Sequence, residues 1–183
     1  VEDVNLELYS GDQIAIIGPT GAGKSTLLHL VAGLIKPQRG EVRIGDSLKV
    51  AILMQEYANQ LIYPTVYEEL LSTAHYMKVS DQKAFIEKLV SEFRLEGLIN
   101  KHTFKLSAGE KKRLVLALIL ALDPDILLLD EPLSDIDSVT EDIMRRYMLR
   151  VRQRGSVVIA TNDILTALEL ADKALLIVKG RII

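Results

Sequence analysis

Residues 18–26 read Gly-Pro-Thr-Gly-Ala-Gly-Lys-Ser-Thr, the pattern G-x-x-x-x-G-K-[ST]. They follow the β-branched run Gln13–Ile17 and precede an apolar helical pattern, the context in which this pattern binds phosphate. Gly18, Gly21 and Gly23 let the backbone turn tightly, so the N–H groups of Pro19-Thr20-Gly21-Ala22-Gly23 and the residues after them face an anion (Pro19 itself supplies none). The helix opening at Lys24 adds its positive dipole end. Lys24 is placed to reach β- and γ-phosphates, Ser25 to bind Mg²⁺ and Thr26 to touch an α-phosphate. A second constellation is Ile126–Glu131, an apolar strand ending in two carboxylates. At the C-terminal edge of a parallel sheet such carboxylates point into a ligand crevice. Asp130 would hold Mg²⁺ through water, and Glu131 would act as general base on an attacking water.

The elements that must position these residues alternate. Strands are expected at Val4–Leu8, Gln13–Ile17, Glu41–Ile44, Leu48–Met54, Ile126–Leu129, Val157–Thr161 and Ala174–Val178. Helices are expected from Lys24 to about Leu34, and at Val66–Met77, Asp81–Phe93, Val139–Gln153 and Ile164–Ala171. A further helix runs from Ser107 to about Leu122, where Ser107 and Glu110 have the spacing of a capping box. Alternating strands and helices point to a mostly parallel α/β sheet, interrupted by a helical stretch at Thr65–Asn100.

Composition narrows the class. With 183 residues, 49% hydrophobic and 26% charged, the chain is one domain-sized globular unit. The longest uninterrupted apolar run, Leu114–Leu122, is too short to cross a bilayer. A net charge of −3 carries no basic excess, so no nucleic-acid partner is expected. Zero Cys excludes a disulfide scaffold and Cys-ligated zinc. Because the sequence begins at Val1 and stops at Ile183, a minimal or trimmed domain is expected.

The phosphate loop, the acidic strand end and Leu106-Ser107-Ala108-Gly109-Glu110 between them resemble the ATP-binding cassette (ABC) ATPases. That family's signature is Leu-Ser-Gly-Gly-Gln with an Arg three residues on, a position filled by Arg113. The resemblance covers essentially the whole chain. It implies a P-loop NTPase fold of the α/β class: a mostly parallel core sheet, a small antiparallel β edge and a helical subdomain carrying the signature. On this reading residues 1–64 and 101–183 form the core, and 65–100 the helical subdomain, which continues into the signature helix 107–122. Substrate and cofactor are ATP and Mg²⁺. Two cassettes sandwich two ATP molecules head to tail, so that Ser107, Ala108, Gly109 and Glu110 face the γ-phosphate bound by the opposite chain. Gln55 matches the glutamine that senses Mg²⁺ and the attacking water, here called the Q-loop. Residues 134–137 match the D-loop, with Asp137 also suited to cap the following helix.

Four departures stand out. Asn162 replaces the switch His after the strand Val157–Thr161; it donates an amide N–H but carries no charge, so slow hydrolysis with ATP binding intact is expected. Ala108 and Glu110 replace the usual Gly and Gln, which predicts weaker dimerisation. The family's adenine-stacking aromatic lies upstream of Val1, and Tyr9 is expected to be an edge-strand side chain instead. The segment between Gly33 and Gln55 is short for a transporter cassette.

Gln55, Asn59, Gln60, Thr65, Val66, Glu68 and Glu69 resemble the Q-loop region of cobalt and energy-coupling-factor transporter ATPases. That branch implies metal-ion or vitamin uptake, a membrane subunit docking near the Q-loop, and a peripheral location at the cytoplasmic face of the membrane. Tyr57, Leu61, Ile62 and Tyr63 are either a docking cluster or packing within the helical subdomain. Two other readings remain open: a soluble translation-factor cassette, and a non-catalytic subunit paired with an active cassette. A chromosome-structuring head is disfavoured, because residues 27–105 hold no long heptad run.

Overall fold

Parallel strands whose neighbours bury both faces read as continuous apolar runs, and three such runs build the centre of this chain. The computed structural model describes residues 1–134 and 136–183; Asp135, in the segment read as the D-loop, lies outside them. The strands are β1 (Gln13–Ile17), β2 (Val50–Leu53), β3 (Ile126–Asp130), β4 (Ser156–Thr161), β5 (Lys173–Val178) and β6 (Arg181–Ile182). The helices are α1 (Lys24–Val31), α2 (Val66–Tyr76), α3 (Gln82–Glu92), α4 (Ala108–Ala121), α5 (Ser138–Arg152) and α6 (Ile164–Leu170).

The chain divides into two compact units. The first holds Val1–Gln55, Pro124–Ser134 and Met148–Ile183. Its sheet has the order β2-β3-β4-β1-β5-β6, parallel throughout except for the β5–β6 pair. Every residue of β3 and β4 is buried. Helix α1 packs on β3 and β4, and α6 on β1 and β4. The core between them gathers Ile16, Leu27, Leu28, Leu128, Val158 and Ile177. Register determines which residues share an edge. Leu53 pairs with Leu129, Asp130 with Ala160, and Ile17 with Thr161, so the C-terminal ends of β1 to β4 reach one edge of the sheet.

Two expected strands are not strands. Val4–Leu8 and Glu41–Ile44 carry no ladder, although Val4, Leu8 and Ile44 still pack against the core cluster. Alternating apolar side chains bury one face whether or not the backbone finds a partner, so the pattern alone overcalls strands. The antiparallel edge is supplied by β6 against β5.

The second unit holds Glu56–Asp123 and Asp135–Tyr147, and extends on both sides beyond the 65–100 stretch and signature helix 107–122 that the sequence suggests. Hydrogen bonds and ring contacts draw in the extra residues. The Thr103 hydroxyl donates to the carbonyl of Tyr63 at 3.1 Å, and Thr65 bridges to His102. Fully buried Phe93 stacks on Tyr147 with ring centroids 5.0 Å apart, and the Tyr147 hydroxyl donates to Glu92 at 2.6 Å. Capping boxes start two helices, Thr65 with Glu68 on α2 and Ser107 with Glu110 on α4.

Leu128 is fully buried on β3 under α1. Leu128→Ala is expected to cost about 2–5 kcal/mol of stability through lost transfer energy and a residual cavity. An unchanged denaturant midpoint would refute that placement of the core.

Candidate functional site

The phosphate loop leaves β1 and enters α1 through Gly23, whose φ of +105° is a left-handed cap. Gly18 serves a different need from the turning expected of it: a Cβ there would overlap the carbonyl oxygen of Ile177, so it is the close approach to β5 that demands glycine. Pro19, Thr20 and Gly21 are exposed at the loop's tip. Ala22 is buried, Ser25 is half-buried in the first turn of α1, and Thr26 is exposed beside it.

Lys24 is only 7% exposed. An ammonium withdrawn this far from water needs compensating partners. Its Nζ donates to the carbonyls of Gly18 at 2.8 Å and Pro19 at 3.3 Å, and lies 3.8 Å from Glu131 Oε1. Lys24 therefore folds back over its own loop.

Asp130 and Glu131 behave differently, although they are neighbours. Asp130 is 3% exposed, and its Oδ1 has no hydrogen-bond partner among the described residues. A buried carboxylate oxygen left open is a hard donor of the kind that suits Mg²⁺, so the residues fit that ion. Glu131 is fully engaged. Its Oε2 accepts from the Thr161 hydroxyl at 3.0 Å, and its Oε1 from the backbone N–H of Asn162 at 2.9 Å. The parallel register thus brings together Lys24, Glu131 and residue 162, all singled out by the sequence. Gln55 lies just past the end of β2, exposed, on the same edge of the sheet. Nothing in the sequence singles out Thr161, which reads there as one more β-branched strand residue.

The signature lies in the other unit. Ser107 caps α4, accepting from the Glu110 N–H at 3.2 Å, while the Glu110 carboxylate accepts from the Ser107 N–H at 2.8 Å. That bond is the main cause holding the Glu110 carboxyl below its ordinary range. Ala108 is exposed and Gly109 half-buried. A Cβ on Gly109 would overlap the Asp137 carboxylate and displace it from its present position. Asp137 caps α5, accepting from the Thr140 N–H at 2.8 Å and its hydroxyl at 2.9 Å, and pairs with Arg113 at 3.1 Å. Burial opposes its ionisation, but the Thr140 bonds and Arg113 outweigh burial and hold its carboxyl below the usual range.

The aromatic cluster after Gln55 divides. The Tyr57 hydroxyl donates to the carbonyl of Ala108 at 3.3 Å, and its ring lies under the Lys112 ammonium at 5.4 Å. Ile62 and Tyr63 are instead exposed, at 81% and 42%. Their N–H groups donate to the 4% exposed carboxylate of Glu69, the Tyr63 bond measuring 2.7 Å. Burial is the main cause raising the Glu69 pKa. Tyr9 is 63% exposed, stands in no strand, and donates its hydroxyl to Glu7. Among the described residues no helix is long and apolar enough to cross a membrane.

The family model described as ABC transporter matches residues 1–134. A putative ABC transporter ATP-binding protein from Archaeoglobus fulgidus is 37% identical over 97% of this chain and 79% of its own length. An energy-coupling factor transporter ATP-binding protein, EcfA2, from Methanospirillum hungatei is 35% identical over all of this chain but 50% of its own. A sulfate/thiosulfate import ATP-binding protein, CysA, from Mesorhizobium japonicum is 33% identical over all of this chain and 57% of its own. The chain thus spans about half the length of the last two. Among solved structures, a dimeric post-hydrolysis state of the ATP-binding cassette MJ0796 with ADP and Pi superposes with a TM-score of 0.84 at 26% identity, covering 98% of this chain and 86% of that one. The cbiO1 protein of Clostridium perfringens, part of the ABC transporter complex cbiONQ, gives 0.77 at 27% identity, covering 98% and 78%.

Asp137→Asn keeps a residue suited to the helix cap but removes the charge facing Arg113, so it is expected to lower stability by up to about 1 kcal/mol near neutral pH, the size of a partly exposed ion pair. Because the folded carboxyl titrates below its unfolded value, its stabilisation is present above the usual carboxylate range and is lost as pH falls through the folded pKa. The melting temperatures of wild type and variant should therefore converge in acid; a gap independent of pH would count against the ion pair and cap.

Proposed function

Because the chain belongs to the ABC transporter family of ATP-binding, ATP-hydrolysing proteins, we propose that it is the ATPase subunit of a membrane transporter and works as one of two paired cassettes. The observation that carries this reading is the meeting, at one sheet edge, of the phosphate loop, the buried Lys24, the open Asp130 oxygen and the held Glu131 carboxylate.

Residues 18–26 bind the phosphates through backbone N–H groups and the start of α1. Lys24 exchanges the carbonyls of Gly18 and Pro19 for β- and γ-phosphate oxygens, gaining a charged partner for a polar one. Ser25, Asp130 and Gln55 would hold Mg²⁺, which would supply charge neutralisation to the transferring phosphoryl group. Glu131 accepts a proton from the attacking water as its oxygen bonds to the γ-phosphorus. The bond from that phosphorus to the β–γ bridging oxygen breaks, leaving ADP and inorganic phosphate. Ser107, Ala108, Gly109 and Glu110 of the second cassette present the start of α4 to the γ-phosphate, and Asp137 sits beside that signature. Asn162 contributes an uncharged amide where the family has His.

A membrane subunit docks near the Q-loop from the cytoplasmic face of the membrane, a reading supported by exposed Ile62 and Tyr63. Uptake of a metal ion or vitamin is supported by the Q-loop resemblance and by the similarity to EcfA2 and cbiO1.

The specific rate of Mg·ATP hydrolysis by the purified chain is expected to rise with protein concentration and to vanish in Glu131→Gln. A concentration-independent rate that survives Glu131→Gln would sink the proposal. Separately, Asn162→His is expected to raise turnover while ATP affinity stays within about twofold, a difference under about 0.4 kcal/mol. Unchanged turnover would show that residue 162 does not limit the reaction.

A further inference from the structure

A general base works only if its carboxylate is held where the water will be, and both oxygens of Glu131 are held. The backbone of Glu131 is anchored first: its N–H donates to the carbonyl of Ala160 at 2.9 Å, continuing the β3–β4 ladder past Asp130. Its φ of +46° is uncommon for a residue with a Cβ. The side chain then meets two donors beside the end of β4. One is the backbone N–H of Asn162, which residue 162 supplies whatever its side chain, proline excepted. The other is the hydroxyl of Thr161, a residue 1% exposed.

The direction of that hydroxyl is set by its surroundings. A threonine hydroxyl has one proton and two acceptor positions. The N–H of Asp163 donates to the Thr161 oxygen at 3.1 Å, occupying one acceptor position, while Glu131 Oε2 at 3.0 Å receives the single proton. With Oε2 bound there, Oε1 is the oxygen that faces Lys24 at 3.8 Å. We propose that Thr161 is a positioning residue for the base: its hydroxyl sets the rotamer of Glu131, a holding role performed in this chain without a charged side chain at position 162. This rests on the reading of Glu131 as the base. In this role Thr161 acts through Glu131, whose Oε2 receives its hydroxyl proton.

The test compares wild type, Glu131→Gln, Thr161→Val and Thr161→Ser in Mg·ATP hydrolysis, with the ATP dissociation constant and melting temperature measured for each. Valine keeps the buried β-branched shape and removes the hydroxyl; serine keeps the hydroxyl and removes a methyl group. Thr161→Val is expected to lower kcat about tenfold to hundredfold, the scale of a misplaced catalytic group. Its ATP dissociation constant should stay within about twofold, and Thr161→Ser should recover most of the rate. Wild-type turnover in Thr161→Val overturns the positioning role and leaves the reading of Glu131 standing. So does a loss in which Thr161→Ser fails as badly as Thr161→Val, or in which ATP affinity and melting temperature fall together with kcat, because a structural role predicts those patterns. A wild-type chain with no hydrolysis dependent on Glu131 overturns both readings at once.

Discussion

The ammonium of Lys24, withdrawn from water at the edge of the sheet, is the interaction on which the rest of the site depends. A charge 7% exposed is tolerated only because two carbonyls of its own loop and the Glu131 carboxylate surround it. Those carbonyls are present because the loop turns back on itself between β1 and α1, and the loop is seated because Gly18 lets it lie against Ile177. The loop and the acidic strand end are thus tied together around one cation, and under the proposed function phosphate oxygens would take the place of the two carbonyls.

The neighbouring carboxylates show how environment divides two residues of the same chemistry. Asp130 ends a strand buried on both faces and keeps an oxygen without a partner, which suits a cation. Glu131 leaves the strand with a left-handed backbone and finds two donors at the end of β4. In the helical unit the same economy recurs. Asp137 both caps α5 and pairs with Arg113, while Gly109 makes room for its carboxylate. Ala108, where the family has Gly, is exposed on the single chain.

Some of this is legible from local sequence. The capping pair Ser107–Glu110, the run Ile126–Asp130 and the helix after Lys24 depend on residues close in sequence, and they stand within a few residues of where they are expected. The strands expected at Val4–Leu8 and Glu41–Ile44 fail because alternation records burial and not backbone pairing. The extent of the helical unit is hidden because Tyr147 and Phe93, which stack, are far apart in the chain. The split of the cluster after Gln55, with Tyr57 turned to α4 and Ile62 exposed, comes from packing that no local pattern reveals.

By itself the sequence determined the phosphate loop, the acid pair, the signature and the family, because each is a contiguous run whose residue types are dictated by the ligand or by a helix end. The tertiary structure alone decided what holds the Glu131 carboxylate. Thr161 and Asn162 lie 30 and 31 residues from Glu131, and become its partners only because the β3–β4 ladder sets Asp130 opposite Ala160. A slip of one residue in that register would turn every side chain of β4 to the other face and leave the carboxylate unheld.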